Sequence, residues 1–275
     1  MAGDYMFELK GVSYSYLNRF PALESVDLKI EPGERTALLG PNGSGKSTLL
    51  NIMAGLYFPQ KGSVSFMGGD LSENRLADDA FRKFFRSRVG IVFQNSDAQL
   101  FNSNVEEEIF FGLRQLDISK EDARERAGKY VDIMGIGHLK DRHPQNLSIG
   151  EKKRVAICSV LAMEPDILLL DEPTSGLDPR SARCLLDAIS GYAEKPKTII
   201  ISTQDMHIIP EVACRVVVLG EGKNVLRDGL AEQVLADRAF LEEHNLMHIH
   251  AHRHKGICHV HPHEHHDEPH HGHGT

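Results

Sequence analysis

The chain has 275 residues, 41% of them hydrophobic and 25% charged, and a formal net charge of −8 with histidine neutral. That length can bury a sizeable core in one large or two small domains, and the acidic balance speaks against a nucleic-acid surface as the chain's main business. No apolar run approaches the roughly 18 residues of a membrane span, and the N-terminus lacks a signal-peptide pattern, so the chain is expected in the cytoplasm and reaches a membrane only through a partner.

Residues Phe7 to Val12 and Leu23 to Ile30 alternate apolar and polar side chains, which predicts half-buried antiparallel strands. Tyr14 and Tyr16 fall in a polar connection between them; Tyr16 is either simply half-buried or offers an aromatic face to an adenine ring. Thr36 to Leu39 reads as a short buried strand and leads into Gly40-Pro41-Asn42-Gly43-Ser44-Gly45-Lys46-Ser47-Thr48, which fills every position of the phosphate-loop pattern G-x-x-x-x-G-K-[ST]. Glycines let such a loop turn tightly and aim several N–H groups at one polyphosphate. Lys46 then reaches the β and γ phosphates, and the Ser47 hydroxyl coordinates Mg²⁺. Leu49, Leu50, Ile52 and Met53 give the buried face of a helix that starts under the phosphates and adds its positive dipole end.

Gly62 to Phe66 is expected as a strand, Gly68 to Asp79 as a polar connection, Phe81 to Ser87 as a helix and Val89 to Phe93 as a buried strand ending at Gln94. Beside a nucleotide, the Gln94 amide can bind Mg²⁺ or the attacking water. From about residue 95 to 164 the pattern becomes helical: Asn104 with Glu107 and Ser119 with Asp122 have the spacing of helix N-caps, and Ala123, Ala127, Tyr130, Val131 and Met134 follow one face until Gly135. Leu147 to Arg154 opens another helix with a capping box, Ser148 with Glu151, whose exposed N–H groups can grip a phosphate carried by another subunit.

Ile167 to Leu170 is wholly apolar, as a strand covered on both faces must be, and it delivers Asp171 and Glu172 at its carboxyl end. Asp171 holds Mg²⁺ through water in this reading, and Glu172 polarises the water that attacks the γ phosphate. Asp178 and Pro179 cap a further helix, Thr198 to Ile201 is another buried strand followed by Gln204, and Arg215 to Leu219 with Asn224 to Arg227 suggests a hairpin.

Taken together, the phosphate loop, Gln94, the Leu147 to Arg154 signature, Asp171 with Glu172, and Ser175-Gly176-Leu177-Asp178 resemble the ATP-binding cassette family of ATPases over about residues 5 to 235. The stretch Val92 to Phe101 is similar to that in ATPase subunits of energy-coupling factor importers, which serve vitamins and transition-metal ions. The resemblance implies an α/β fold, a P-loop NTPase with a RecA-like parallel sheet core, a small antiparallel β subdomain and a helical insert at about 95–164. It also implies two cassettes, identical or not, facing head to tail, each ATP lying between one phosphate loop and the other's Ser148, Gly150 and Asp178. Glu172, Gln204 and Gln94 are the catalytic candidates, Ser47, Gln94 and Asp171 the Mg²⁺ ligands. Tyr16, Gly40, Asn42 to Thr48, Ser148, Gly150 and Asp178 are the nucleotide-binding candidates. The expected partners are integral membrane coupling and substrate-binding proteins at the cytoplasmic face of the membrane.

Two departures from the family pattern stand out. Ile149 and Glu151 replace a glycine and a glutamine in the signature, and Gln204 stands where the family usually has histidine. Glutamine can hydrogen-bond a phosphate but cannot carry a proton, so hydrolysis slower than the family norm is expected; His207, expected as an ordinary helix residue, is a weak substitute. Four cysteines, Cys158, Cys184, Cys214 and Cys258, match no zinc or disulfide spacing and are expected as reduced thiols.

Thirteen of the 16 histidines lie between His244 and His273. His248, His250, His252 and His254 alternate, as do His261, His263 and His265, so an extended segment presents each row on one side. Imidazole suits nickel, cobalt, zinc and copper, and the nearby carboxylates Glu264, Asp267 and Glu268 favour borderline ions over copper(I); residues 236–275 are expected to be a disordered tail that binds a transition metal such as Ni²⁺ or Co²⁺, after an ATPase domain of residues 1–235. The function expected is ATP-driven uptake of nickel or cobalt, with import of a vitamin or other solute, or a weakly hydrolysing regulatory module, as alternatives.

Overall fold

In a computed structural model, which describes residues 5–192, 196–254 and 257–263, the chain opens with an antiparallel hairpin of β1 (Phe7–Tyr16) and β2 (Phe20–Ile30). Tyr14 and Tyr16 finish β1 rather than lying in a connection, because the turn takes only Leu17, Asn18 and Arg19, the first two at φ 53°. Tyr16 thereby stands opposite Phe20. β3 (Arg35–Leu39) runs through the phosphate loop into α1 (Lys46–Met53). β4 (Lys61–Phe66) and β5 (Gly69–Asp70) complete a four-stranded sheet of order β2-β1-β4-β5.

The expected polar connection also holds a helix, α2 (Glu73–Ala77), capped by Ser72, before α3 (Asp79–Arg88) and β6 (Val89–Val92). The insert contains α4 (Val105–Leu113), α5 (Lys120–Met134) and α6 (Ile149–Ala162). Its caps are those the spacing predicts: Asn104 Oδ1 accepts from Glu107 N at 2.8 Å, Ser119 Oγ from Asp122 N at 3.0 Å, and Gly135 closes α5 at φ 62°. Then follow β7 (Ile167–Asp171), α7 (Pro179–Tyr192), β8 (Thr198–Thr203), α8 (Ile209–Val212), β9 (Arg215–Leu219), β10 (Val225–Leu230), α9 (Ala231–Ala236), α10 (Arg238–Glu243), β11 (His248–His254) and β12 (Ile257–His263).

The main sheet has the order β10-β9-β3-β8-β7-β6, parallel except for the antiparallel β10-β9 pair. Its strands separate two apolar cores and feed them alternately. Ala37, Leu39, Leu168, Leu170, Ile199 and Ile201 join the core shared with the helical insert and α7. Leu38, Ile167, Leu169 and Ile200 join the one shared with α1 and the antiparallel sheet. Coverage on both faces is why these strands are continuous apolar runs.

The packed domain does not stop at residue 235. Leu241 and Leu246 are buried in the insert-side core, so the folded body extends through α10. Beyond it, where disorder was expected, the backbone of β11 and β12 forms an antiparallel ribbon with His248 opposite His263, His250 opposite His261 and His252 opposite His259. His265, the last candidate of that row, lies outside the described residues.

Candidate nucleotide site

β3 ends in the middle of the main sheet, and the phosphate loop turns from its carboxyl end into α1. Gly45 sits at φ 105°, and a Cβ there would meet Ala22 O at 2.3 Å; the loop therefore needs glycine both for its conformation and for its approach to β2. Lys46 Nζ donates to Gly40 O at 2.7 Å and Pro41 O at 3.2 Å, and lies 3.9 Å from Glu172 Oε1. Burial pulls the Lys46 ammonium's pKa down, opposed by the charges of Glu172 and Asp171.

β7 carries Asp171 and Glu172 to the same end of the sheet. Asp171 Oδ1 accepts from Ser202 Oγ at 2.5 Å, and Glu172 N donates to Ser202 O and to Ser202 Oγ, both at 3.1 Å, so β8 fixes the Asp171 carboxylate and the Glu172 backbone. Glu172 has φ 43°, a left-handed conformation unfavourable for a side chain of this size and of the kind held at functional sites. Burial raises the pKa of its carboxyl, opposed by Lys46 and by the hydrogen bond from Gln204. Gln204 Nε2 donates to Asn42 Oδ1 at 2.5 Å and to Glu172 Oε1 at 3.4 Å, so one neutral amide bridges the phosphate loop and the strand-end carboxylate.

These groups converge on a cavity of 350 Å³ lined by Tyr16, Phe20, Asn42 to Thr48, Gln94, Glu172 and Gln204. Gly40 contributes its carbonyl to Lys46 behind the lining, and Asp171 sits beside Glu172 under Ser202. The donor set fits Mg-ATP: the Ser44 hydroxyl is buried with no protein partner, and a Cβ on Gly43 would meet nothing nearer than Lys223 Nζ at 4.0 Å. Ser47 and Gln94 line the cavity and Asp171, which does not, stands at the strand end beside Glu172; these are the oxygen groups that would hold Mg²⁺, which would neutralise charge on the transferring phosphoryl group.

Ser148, Gly150 and Asp178 are not among the cavity's lining residues. They adjoin each other on a second surface: a Cβ on Gly150 would meet Ser181 Oγ at 3.6 Å and Leu177 Cδ2 at 3.8 Å, and Asp178 Oδ1 caps α7 from Arg180 N and Ser181 N at 3.0 Å. The capping box is present, with Ser148 N donating to Glu151 Oε2 at 2.8 Å and Glu151 N to Ser148 Oγ at 3.3 Å. Ile149 is 70% exposed, with its Cγ2 3.9 Å from where a Cβ on Gly176 would stand. His207 lies in the turn before α8, its N–H donating to Asp205 Oδ1 at 2.9 Å, and does not line the cavity. Among the described residues no group of three or more His, Cys, Asp or Glu could hold a metal ion. The Cys158 thiol is pushed up to about 12 by burial, which leaves it protonated.

Sequence reasoning passes over four residues. Phe20 reaches the cavity because the hairpin pairs it with Tyr16, and Ser202 because β8 runs beside β7. Lys223 Nζ donates to Gly43 O at 2.5 Å, and Lys153 is buried against the Gln94 segment. The first two signals lie in strand pairing, and the lysines read as ordinary solvated charges.

Residues 23–175 match the family model described as ABC transporter. The chain belongs to the ABC transporter family. It is 46% identical over 244 residues to the nickel import ATP-binding protein NikO of Rhodobacter capsulatus, covering 88% of this cassette and 95% of that protein. Among solved structures, cbiO1 of Clostridium perfringens, described as part of the ABC transporter complex cbiONQ, aligns with a TM-score of 0.72 at 35% identity over 89% of this cassette and 96% of that chain. The cassette MJ0796, a dimer in a post-hydrolysis state bound to ADP and Pi, aligns with a TM-score of 0.74 at 30% identity, covering 82% of this cassette and 99% of that chain. The cassette is thus an ATPase with the P-loop NTPase fold. Among the described residues no helix is long and apolar enough to cross a membrane.

Proposed function

We propose that this cassette is the ATPase subunit of a nickel or cobalt importer, docked peripherally at the cytoplasmic face of the membrane on integral coupling and substrate-binding proteins. The observation that carries the catalytic part is the convergence of the phosphate loop, Gln94, Glu172 and Gln204 on one cavity, while Ser148, Gly150 and Asp178 lie together on another surface. A single chain presents two half-sites, and a head-to-tail pair of cassettes completes both; the dimeric form of MJ0796 supports that arrangement. In it, Tyr16 stacks on adenine and Lys46 with the loop amides holds the phosphates. Glu172 accepts the proton of the attacking water, which Gln204 and Gln94 orient, and the partner's signature residues contact the γ phosphate.

The metal cargo is supported by the likeness to the nickel import ATP-binding protein NikO, and the histidine bias of residues 244–273 is the feature of this sequence that points the same way. Imidazole-rich sites favour nickel, cobalt, zinc and copper over magnesium or calcium. The test is nickel and cobalt accumulation in cells carrying the cassette with its membrane partners, against cells carrying Glu172→Gln. Collapse of uptake of one metal identifies the cargo; unchanged uptake of both overturns the metal reading and leaves a vitamin or other solute as cargo.

A further inference from the structure

Lys153 is 2% exposed and among the largest fully buried side chains of the molecule, yet the reaction as described makes no use of it. A buried ammonium is costly unless its donors are satisfied. Lys153 Nζ donates to Gln94 O at 2.7 Å and Phe93 O at 3.4 Å, both backbone carbonyls of the segment that carries the Gln94 side chain to the nucleotide cavity. Lys153 itself stands on α6, whose first turn holds Ser148 and Gly150.

Further bonds repeat this fastening along the same helix. Lys152 Nζ pairs with Asp97 Oδ1 at 2.6 Å. Gln99 accepts from Phe93 N at 3.1 Å through Oε1 and donates to Ala156 O at 3.3 Å through Nε2. Residues 93–99 are therefore tied to α6 at successive turns, whereas the strand before them is bonded in the main sheet to β7 alone.

We propose that Lys153 is a positioning residue that locks the Gln94 backbone to α6, so that the glutamine facing one nucleotide and the Ser148–Gly150 turn offered to the partner's nucleotide move as one body. The inference rests on the roles given to Gln94 and Ser148 above. Two carbonyls of adjacent residues on one ammonium fix a peptide's orientation as well as its position, which neutral packing of the same volume does not.

The experiment compares full-length wild-type chain with Lys153→Met, which keeps the volume and removes the donors, and with Lys153→Arg. The readouts are kcat and KM for ATP, Tm, and amide exchange with Mg-ATP in a Glu172→Gln background. Expected for Lys153→Met is a fall in kcat of ten-fold or more with KM within two-fold. ATP-dependent protection should be lost at residues 148–152 and kept at 40–48, and Lys153→Arg should recover at least a third of kcat. A folded Lys153→Met with kcat within two-fold of wild type overturns the proposal, as does parallel loss of kcat, ATP affinity and protection at 40–48. If Lys153→Met does not fold, Gln99→Met combined with Lys152→Ala tests the same fastening: a two-fold or larger fall in kcat at constant KM supports it, and an unchanged kcat overturns it. Failure of the underlying reading is separate, because Gln94→Ala would then leave kcat unchanged.

Discussion

Gln204 holds together two groups that the chain brings from distant positions, Asn42 of the phosphate loop and Glu172 of β7. An amide does this without titrating, whereas a histidine at the same position gains a proton and a positive charge beside the phosphates as the pH falls through its pKa, near 6.5 in the absence of perturbation. Gln204→His is expected to raise kcat several-fold and to add a limb to the pH profile of kcat near about pH 6.5. Wild-type kcat should lack that limb, since no histidine is among the described residues lining the cavity. With Glu172 as the proposed base, both enzymes should share an acid limb from it. Burial raises its pKa, so the carboxylate that accepts a proton is lost at a higher pH than for an exposed glutamate, and kcat falls with it. Steady-state ATPase rates from pH 5 to 9 check both points; equal rates and superimposable profiles would dismiss a special role for the substitution.

At the scale of elements, α6 draws on one residue for two purposes. The Ser148 hydroxyl caps the helix, and the same turn is the one that the proposed head-to-tail pair would offer to a second nucleotide. Ser148→Ala should lower stability by about 1 kcal/mol, the usual worth of such a cap, and thermal unfolding measures that directly. Ser148→Asp keeps a cap but sets a negative charge beside phosphate, so it should preserve Tm and still lose ATPase activity. Elements that serve local chemistry were the legible ones. The phosphate loop, the Asn104, Ser119 and Ser148 caps, and the apolar run of β7 all announce themselves within a few residues. α2 did not, because five residues are too short to display a helical period. Phe20 and Ser202 owe their places to strand pairing, and Lys153 to the packing of α6 against the Gln94 segment, none of which leaves a mark in the adjacent sequence.

For the molecule as a whole, the boundary at residue 235 was misplaced because the histidine bias masks a short amphipathic end. Leu241 and Leu246 enter the same core that binds the helical insert to the sheet. Leu241→Ala should cost about 3 kcal/mol, as other buried leucines do, and lower Tm without altering KM for ATP. A chain cut after residue 235 should show the same loss, whereas one cut after residue 247 should melt like the full chain. The sheet itself is unequal from centre to edge. β3, which presents the phosphate loop, is bonded on both sides by parallel neighbours, while β6, four residues long, has one neighbour and leads straight into Gln94. Backbone opening is easiest where fewest bonds must break together. In the mechanism proposed above, the cassette therefore grips phosphate from a strand held on both sides and senses it from one held on a single side, an anvil within the sheet and a spring at its rim.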